Sequence, residues 1–236
     1  MWNIDLTLLD VAQVTREACA VAFRQVTGRP LVRLPRMAGR TDSEVFFEAL
    51  ALNAEELAGE GDSQHLLDGY SQALAGAFAA RQPLLAEKGR LLPGAREALI
   101  AVGRLPGVVQ TVLTGSIQPN ALAKLRAFGL ATLLDTGIGG YGSAVYPRGT
   151  LLQVTRDRAA EAHGVTFGDR ATVYIGDSPR DVEAARIGGA WAIMVASGRA
   201  THAELAAAGA DAVLPDLTDT TALTRTVDEL TLPRRD

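Results

Sequence analysis

The sequence predicts an α/β fold, a Rossmann-like parallel sheet core with helices on both faces and an inserted all-helical cap domain. Three observations carry this. Short, continuously apolar runs at residues 108–113, 171–175, 192–195 and 212–214 alternate with helical patterns, as in a parallel sheet covered on both sides. Residues 11–88 contain no strand-like run at all. Asp5, Thr114 and Asp177 fall at or just beyond the ends of apolar runs, where open parallel sheets bind their ligands. The expected division is a core domain of residues 1–10 and 89–236 and a helical cap domain of residues 11–88.

Each element has a local cause. Only Met1 and Trp2 precede Asn3, so the first strand is short or the biological start lies upstream. Residues 11–27 place Val11, Val14, Ala18, Val21, Ala22 and Val26 on one helical face and stop at Gly28, a C-terminal cap glycine. Pro30 and Pro35 then break the chain. Thr41-Asp42-Ser43-Glu44 reads as a capping box opening a helix through Phe46 and Leu50. After the break at Gly59-Glu60-Gly61, residues 64–87 read as one helix punctuated by Gly69, Gly76 and Pro83. Pro93-Gly94 opens a helix to Val102, residues 108–113 form a strand ending at Thr114-Gly115, and Pro119 opens a helix closing near Gly129. Leu133-Leu134 is expected as a strand before a loop over 137–149. A helix over 150–163, a strand to Ile175, a helix from Pro179 to Gly188, a strand at 192–195, a helix at 201–208, a strand at 212–214 and a terminal helix complete the chain.

Composition bounds the function. With 236 residues, 47% of them hydrophobic and 21% charged, the chain can bury a sizeable core as one large domain or two unequal ones. A net charge of -4 supplies no field to recruit nucleic acid or an anionic membrane, and Arg234-Arg235 reads as a solvated tail. No run approaches the ~20 apolar residues of a membrane span. Cys19, the single cysteine, sits among apolar helical neighbours and reads as a buried structural thiol in a reducing compartment. The expectation is a cytoplasmic monomer or homodimer. His65, His163 and His202 have no mutual spacing of a ligand set.

The chemistry lies in four places. In Val173-Tyr174-Ile175-Gly176-Asp177-Ser178-Pro179-Arg180-Asp181 an apolar strand delivers Asp177 to its tip, and Ser178 and Pro179 suit the N-cap and N1 positions of a helix. Two carboxylates there suit Mg2+. The plainer reading of Asp181 is the acid of a capping box with Ser178, and of Asp177 a turn aspartate. Thr114-Gly115 offers a hydroxyl and backbone N–H groups to an anion. Arg148 precedes a helix and can grip a phosphoryl group bidentately. Lys124 is the other available cation, although a solvated helix face is its more ordinary reading. Arg40, in Ala38-Gly39-Arg40-Thr41-Asp42, reads from the residues alone as part of a capping-box surface loop.

Trp2-Asn3-Ile4-Asp5-Leu6-Thr7-Leu8 closely resembles the first motif of the haloacid dehalogenase superfamily, Asp-x-Asp-Gly-Thr-Leu, with Asp5, Thr7 and Leu8 matching. The order of the other motifs is similar to that of its phosphoglycolate phosphatase-like members, over essentially the whole chain. The resemblance implies a Mg2+-dependent phosphatase acting on a small phosphorylated metabolite. It implies Asp5 as general acid/base, Thr114 and Gly115 as phosphoryl ligands, and Arg148 in place of the usual lysine. It further implies Asn3, Asp5, Asp177 and Asp181 as the metal site, with Asp181 direct or one shell out, and Arg40 facing the substrate.

Two positions depart from the pattern. Asn3 stands where the nucleophilic aspartate belongs, and Leu6 where the glycine belongs. A carboxamide oxygen is a poor nucleophile, and losing a nucleophile elsewhere costs on the order of 10⁴–10⁶ in turnover. Three readings stay open: a natural phospho-ligand binder with impaired turnover, an introduced change, or slow hydrolysis by direct water attack. A dehalogenase-like hydrolase is the weaker alternative, because it needs the same missing aspartate.

Overall fold

The computed structural model describes residues 1–53, 63–142 and 148–231. The Gly59-Glu60-Gly61 break, Tyr146-Pro147 and Arg234-Arg235 lie outside them. Two short strands, β1 (Leu9–Asp10) and β2 (Arg90–Leu91), pair antiparallel where the helical insertion leaves and rejoins the core. Between them lie α1 (Ala12–Thr27), α2 (Asp42–Leu52), α3 (Ser63–Ala79) and α4 (Leu84–Lys88). Among the described residues of the insertion there is no strand. Gly28 ends α1 at φ 73 and returns its N–H to the Arg24 carbonyl, because only glycine enters that left-handed region without cost. The capping box of α2 is present, with Thr41 Oγ1 accepting from Glu44 N–H and Glu44 Oε2 accepting from Thr41 N–H. The single helix expected over 64–87 is two. The chain turns after Ala79, and Pro83, which has no N–H to donate, stands at the start of α4.

The core elements are α5 (Ala95–Gly103), β3 (Leu113–Thr114), α6 (Gln118–Ala127), β4 (Gly140–Tyr141), α7 (Arg148–His163), β5 (Val173–Gly176), α8 (Pro179–Gly188), β6 (Trp191–Val195), α9 (His202–Ala207), β7 (Ala212–Leu214) and α10 (Thr220–Thr231). Trp2 bridges in parallel to Val112 on one side and Ile175 on the other. Trp2 N–H donates to the Thr111 carbonyl and Asn3 N–H to the Ile175 carbonyl, at 2.9 and 2.8 Å. The parallel ladder therefore runs β4, β3, residues 1–3, β5, β6, β7. Its order reverses between residues 1–3 and β5, and a crevice opens at such a switch point.

Alternate residues point to opposite faces of a strand, and the burial obeys this. Trp2, Val112, Ile175, Ile193 and Val195 join one apolar cluster with α1, α5, α6 and α10. Leu113, Tyr174, Ala192 and Met194 join the other, against α7 and α8. Helices thus cover both faces, as expected.

One strand is displaced from its expected place. Residues 131–133 form a 3-10 turn, and the sheet is extended instead by Gly140–Tyr141 inside the expected loop. A Cβ on Gly140 would sit 2.3 Å from Thr155 Oγ1 and 2.7 Å from Leu113 Cδ1. Close approach of α7 demands a bare backbone here, so the strand carries no apolar run. Among the described residues, no helix is long and apolar enough to cross a membrane.

Candidate active site

Asn3 and Asp177 leave adjacent strands at the switch point and meet there. Asn3 Nδ2 donates to Asp177 Oδ1 at 2.9 Å and to the Asp5 carbonyl at 3.0 Å. Both partners are acceptors, which fixes the amide orientation. Asn3 Oδ1 is consequently left buried with no hydrogen-bond partner. Thr7 Oγ1 also donates to Asp177 Oδ1, at 2.8 Å. Burial, and then the neighbouring Asp181 charge, push the Asp177 carboxyl up to about 7.

Leu6 carries φ 62, the sole non-glycine residue at positive φ among those described. The turn it makes brings Leu6 N–H back to the Leu9 carbonyl at 2.7 Å. A branched side chain in this region costs roughly 1–2 kcal/mol, and glycine's extra freedom in the unfolded chain offsets part of the relief. Leu6→Gly is expected to raise unfolding free energy by about 0.5 kcal/mol in urea titration; a clear loss would show that the Leu6 side chain contributes more by packing than it costs in strain.

Asp181 does not line the cavity, so of its two expected places the one behind the direct ligands fits it. Its Oδ2 accepts from Asp177 N–H, Ser178 N–H and Ser178 Oγ at 3.2, 3.0 and 2.7 Å, and its Oδ1 accepts from Tyr174 Oη at 2.9 Å and from Arg148 Nη1. Every one of these groups is buried. This is the capping-box role, with an ion pair to Arg148 added. Arg148 lines the cavity and leaves its buried Nε without a partner.

Asp5 is likewise engaged. Lys124 Nζ lies 2.8 and 2.7 Å from its two oxygens, and Ser116 Oγ donates to Oδ2 at 3.1 Å. Lys124 also donates to Ser116 Oγ at 2.8 Å and sits 5.6 Å from the Phe78 ring centre. The solvated-face reading of Lys124 is therefore corrected, since the residue is 1% exposed. A sequence signal existed. Ala121, Leu125 and Phe128 mark the inward stripe of α6, and Lys124 falls within it.

Thr114 lies beneath the cavity wall, its Oγ1 accepting from Ser116 N–H at 3.2 Å, while Gly115 and Ser116 form the wall itself. A Cβ on Gly115 would meet the Arg40 carbonyl at 1.9 Å, so glycine permits the insertion to close on this loop. Arg40 lines the cavity and forms an ion pair with Glu48, while its buried Nη1 is left without a hydrogen-bond partner.

Asp42, a residue that sequence reasoning used only as a helix start, latches the insertion to the core. Its N–H donates to the Gly115 carbonyl and its Oδ2 accepts from Ile117 N–H, both at 2.8 Å. Burial pushes this carboxyl from 3.8 up to about 6, against the opposing pull of Lys124. The folded chain thus holds a proton that the unfolded chain has already released. The resulting stabilisation is full below pH ~4 and is lost as pH rises through about 6. A rise of that size corresponds to roughly 3 kcal/mol. Asp42→Asn keeps an acceptor for Ile117, so its stability between pH 4 and 7 should flatten by that order. Parallel urea curves for both proteins across this range would refute the assignment.

The orphaned Asn3 Oδ1 and the Asp177 carboxylate are oxygen donors at one place, and among the described residues Asp177 forms no ion pair. Among the described residues no three of His, Cys, Asp and Glu converge. Mg2+ commonly keeps several waters and uses one or two carboxylates with substrate phosphates, so these two donors fit it.

The sequence pattern of haloacid dehalogenase-like hydrolases matches residues 1–186. No curated protein matches the chain in sequence. Among solved structures it is similar to a predicted phosphatase from Clostridium acetobutylicum (18% identity, 97% of each chain covered, TM-score 0.69). It is also similar to a hydrolase from Pseudomonas syringae (21% identity, 97% and 96% covered, TM-score 0.64). A third is a predicted phosphoglycolate phosphatase from Haemophilus somnus (18% identity, 94% and 96% covered, TM-score 0.60). At these identities the likeness establishes the fold.

Proposed function

Because this chain belongs to the haloacid dehalogenase-like hydrolase family, we propose that its cavity binds a small phosphomonoester with Mg2+ and that Asn3 has closed the covalent route. Residues 11–88 act as the cap over the phosphoryl site. Asn3 Oδ1 and Asp177 would hold the metal, which would offset negative charge on the phosphoryl oxygens. Arg148, fixed by Asp181, offers its guanidinium to a phosphoryl oxygen beside Gly115, and Gly115 and Ser116 form the wall there. Lys124 and Ser116 hold the Asp5 carboxylate in one orientation, from which it can take a proton from an attacking water. With no carboxylate at position 3, no aspartyl-phosphate forms there, and hydrolysis proceeds slowly by water.

The observation that carries this reading is the Asn3–Asp177 contact at 2.9 Å with Asn3 Oδ1 left over. It supports a cation-binding pair at the switch point of the sheet. A second reading, a binder with no turnover, draws on the double contact of Lys124 with Asp5, which occupies the expected acid/base. Calorimetric titration with inorganic phosphate, with and without Mg2+, tests the shared premise. Binding is expected only with the metal, and metal-independent or absent phosphate binding would sink both readings.

A further inference from the structure

Three cations at the cavity mouth take no part in the network above. Arg16 stands on α1, Arg36 in the loop between α1 and α2, and Arg199 after β6. All three are exposed and line the cavity, and none has a hydrogen bond or ion pair among the described residues. Arg180, also exposed at the start of α8, forms an ion pair with Glu44 at 3.8 Å. The fold holds these charges together. A Cβ on Gly39 would lie 2.6 Å from Arg180 Cβ, so the loop carrying Arg36 rests on the stem of Arg180. A Cβ on Gly198 would lie 2.4 Å from Asp177 Oδ2, so the turn carrying Arg199 is seated on the floor of the site. Arg180 and Arg36 are near enough to oppose the charge on Arg40, after burial.

Of the acids on the wall, Asp5 pairs with Lys124 and Asp10 with Arg90. Asp42 and Glu204 accept from neutral donors, and Asp177 lies on the floor, so none of these three forms an ion pair with Arg16, Arg36 or Arg199 among the described residues. Three guanidinium groups lining one cavity exceed what a carboxylate neutralises, whereas a phosphate brings a charge of about −1.5 to −2 with three acceptor oxygens. The cavity measures about 970 Å³, at the upper end of the roughly 300–1,000 Å³ of small-ligand sites. A two-carbon phosphate would leave most of it empty.

We infer that the ligand of this site carries a second phosphate besides the one held against Gly115 and Arg148, and that Arg36, Arg180 and Arg199 receive it. The inference rests on the phosphomonoester reading above and narrows it to bisphosphorylated metabolites.

Isothermal calorimetry in Mg2+ buffer can test it with hexyl phosphate, hexane-1,6-diyl bisphosphate and 2-phosphoglycolate. The flexible chain lets a second phosphate find whichever cations are available, without sugar hydroxyls to confuse the comparison. The bisphosphate is expected to bind roughly tenfold or more tighter than hexyl phosphate, the scale of one charge-assisted contact. In the double variant Arg36→Ala/Arg199→Ala that ratio should fall to about threefold or less. Equal affinity of the unmodified chain for the two hexyl ligands, or an undiminished ratio in the variant, would overturn the inference and leave the phosphomonoester reading intact. 2-Phosphoglycolate binding as tightly as the bisphosphate would overturn it in favour of a carboxylate. No binding of hexyl phosphate would end the phosphomonoester reading, and this inference with it.

Discussion

Changing Asn3 to aspartate is expected to raise Mg2+-dependent hydrolysis of p-nitrophenyl phosphate by roughly 10⁴–10⁶-fold, the span that removing a covalent nucleophile costs elsewhere. That span corresponds to ~6–8 kcal/mol of barrier. The expectation is large because so little else is missing. Asn3 stands at the switch point, 2.9 Å from Asp177, with Gly115, Ser116 and Arg148 on the same cavity wall. The gain should carry a visible cost. A carboxylate at position 3 would face Asp177, whose proton affinity burial and Asp181 already raise, and adjacent carboxylates disfavour one another's ionisation. The variant should therefore melt lower than the parent in chelator and recover on adding Mg2+. Assays of both proteins with p-nitrophenyl phosphate and 2-phosphoglycolate, with and without Mg2+, decide it. A gain below tenfold in a folded variant would mean that Lys124 has closed Asp5 to the chemistry, and the chain would be a binder.

Removing Asp5 should destabilise the fold more than removing Lys124, although the two form one ion pair. Lys124 is 1% exposed and the Asp5 side chain 36%. Asp5→Ala strands an ammonium among Phe78, Ser116 and the apolar face of α6, and breaking a buried pair in this way costs about 3–5 kcal/mol. Lys124→Met puts an apolar stem of similar length in the same place and leaves Asp5 free to rehydrate at the cavity, at a cost of about 1 kcal/mol. The double variant should regain most of the loss, giving a coupling of roughly 2–3 kcal/mol in a urea cycle. Equal losses for the two single variants would show that Lys124 reaches water.

Much of the fold was legible because its signals are local. The apolar runs of β5, β6 and β7, the cap glycine Gly28 and the capping boxes at Thr41 and Ser178 all appear where the sequence places them. β4 was not legible, because Gly140 is selected by the closeness of α7 rather than by strand propensity. Nor was the β1–β2 pair, whose two-residue strands are too short to show a period. In the site, Asn3, Asp5, Arg148 and Asp177 are brought to one cavity as their places at element ends suggested. Thr114 lies just beneath it, and Ser116, Lys124 and Asp42 complete the wall.

By itself, the sequence determined which residue types stand at which strand ends, because periodicity, turn glycines and caps depend only on near neighbours along the chain. Only the tertiary structure decided which carboxylates remain available. A carboxylate oxygen accepts whatever donor folding brings to it. Lys124 reaches Asp5 from 119 residues away, and Arg148 reaches Asp181 from 33. The same sequence pattern thus leaves the Asn3 oxygen without a partner while tying Asp5 to Lys124 and Asp181 to Arg148.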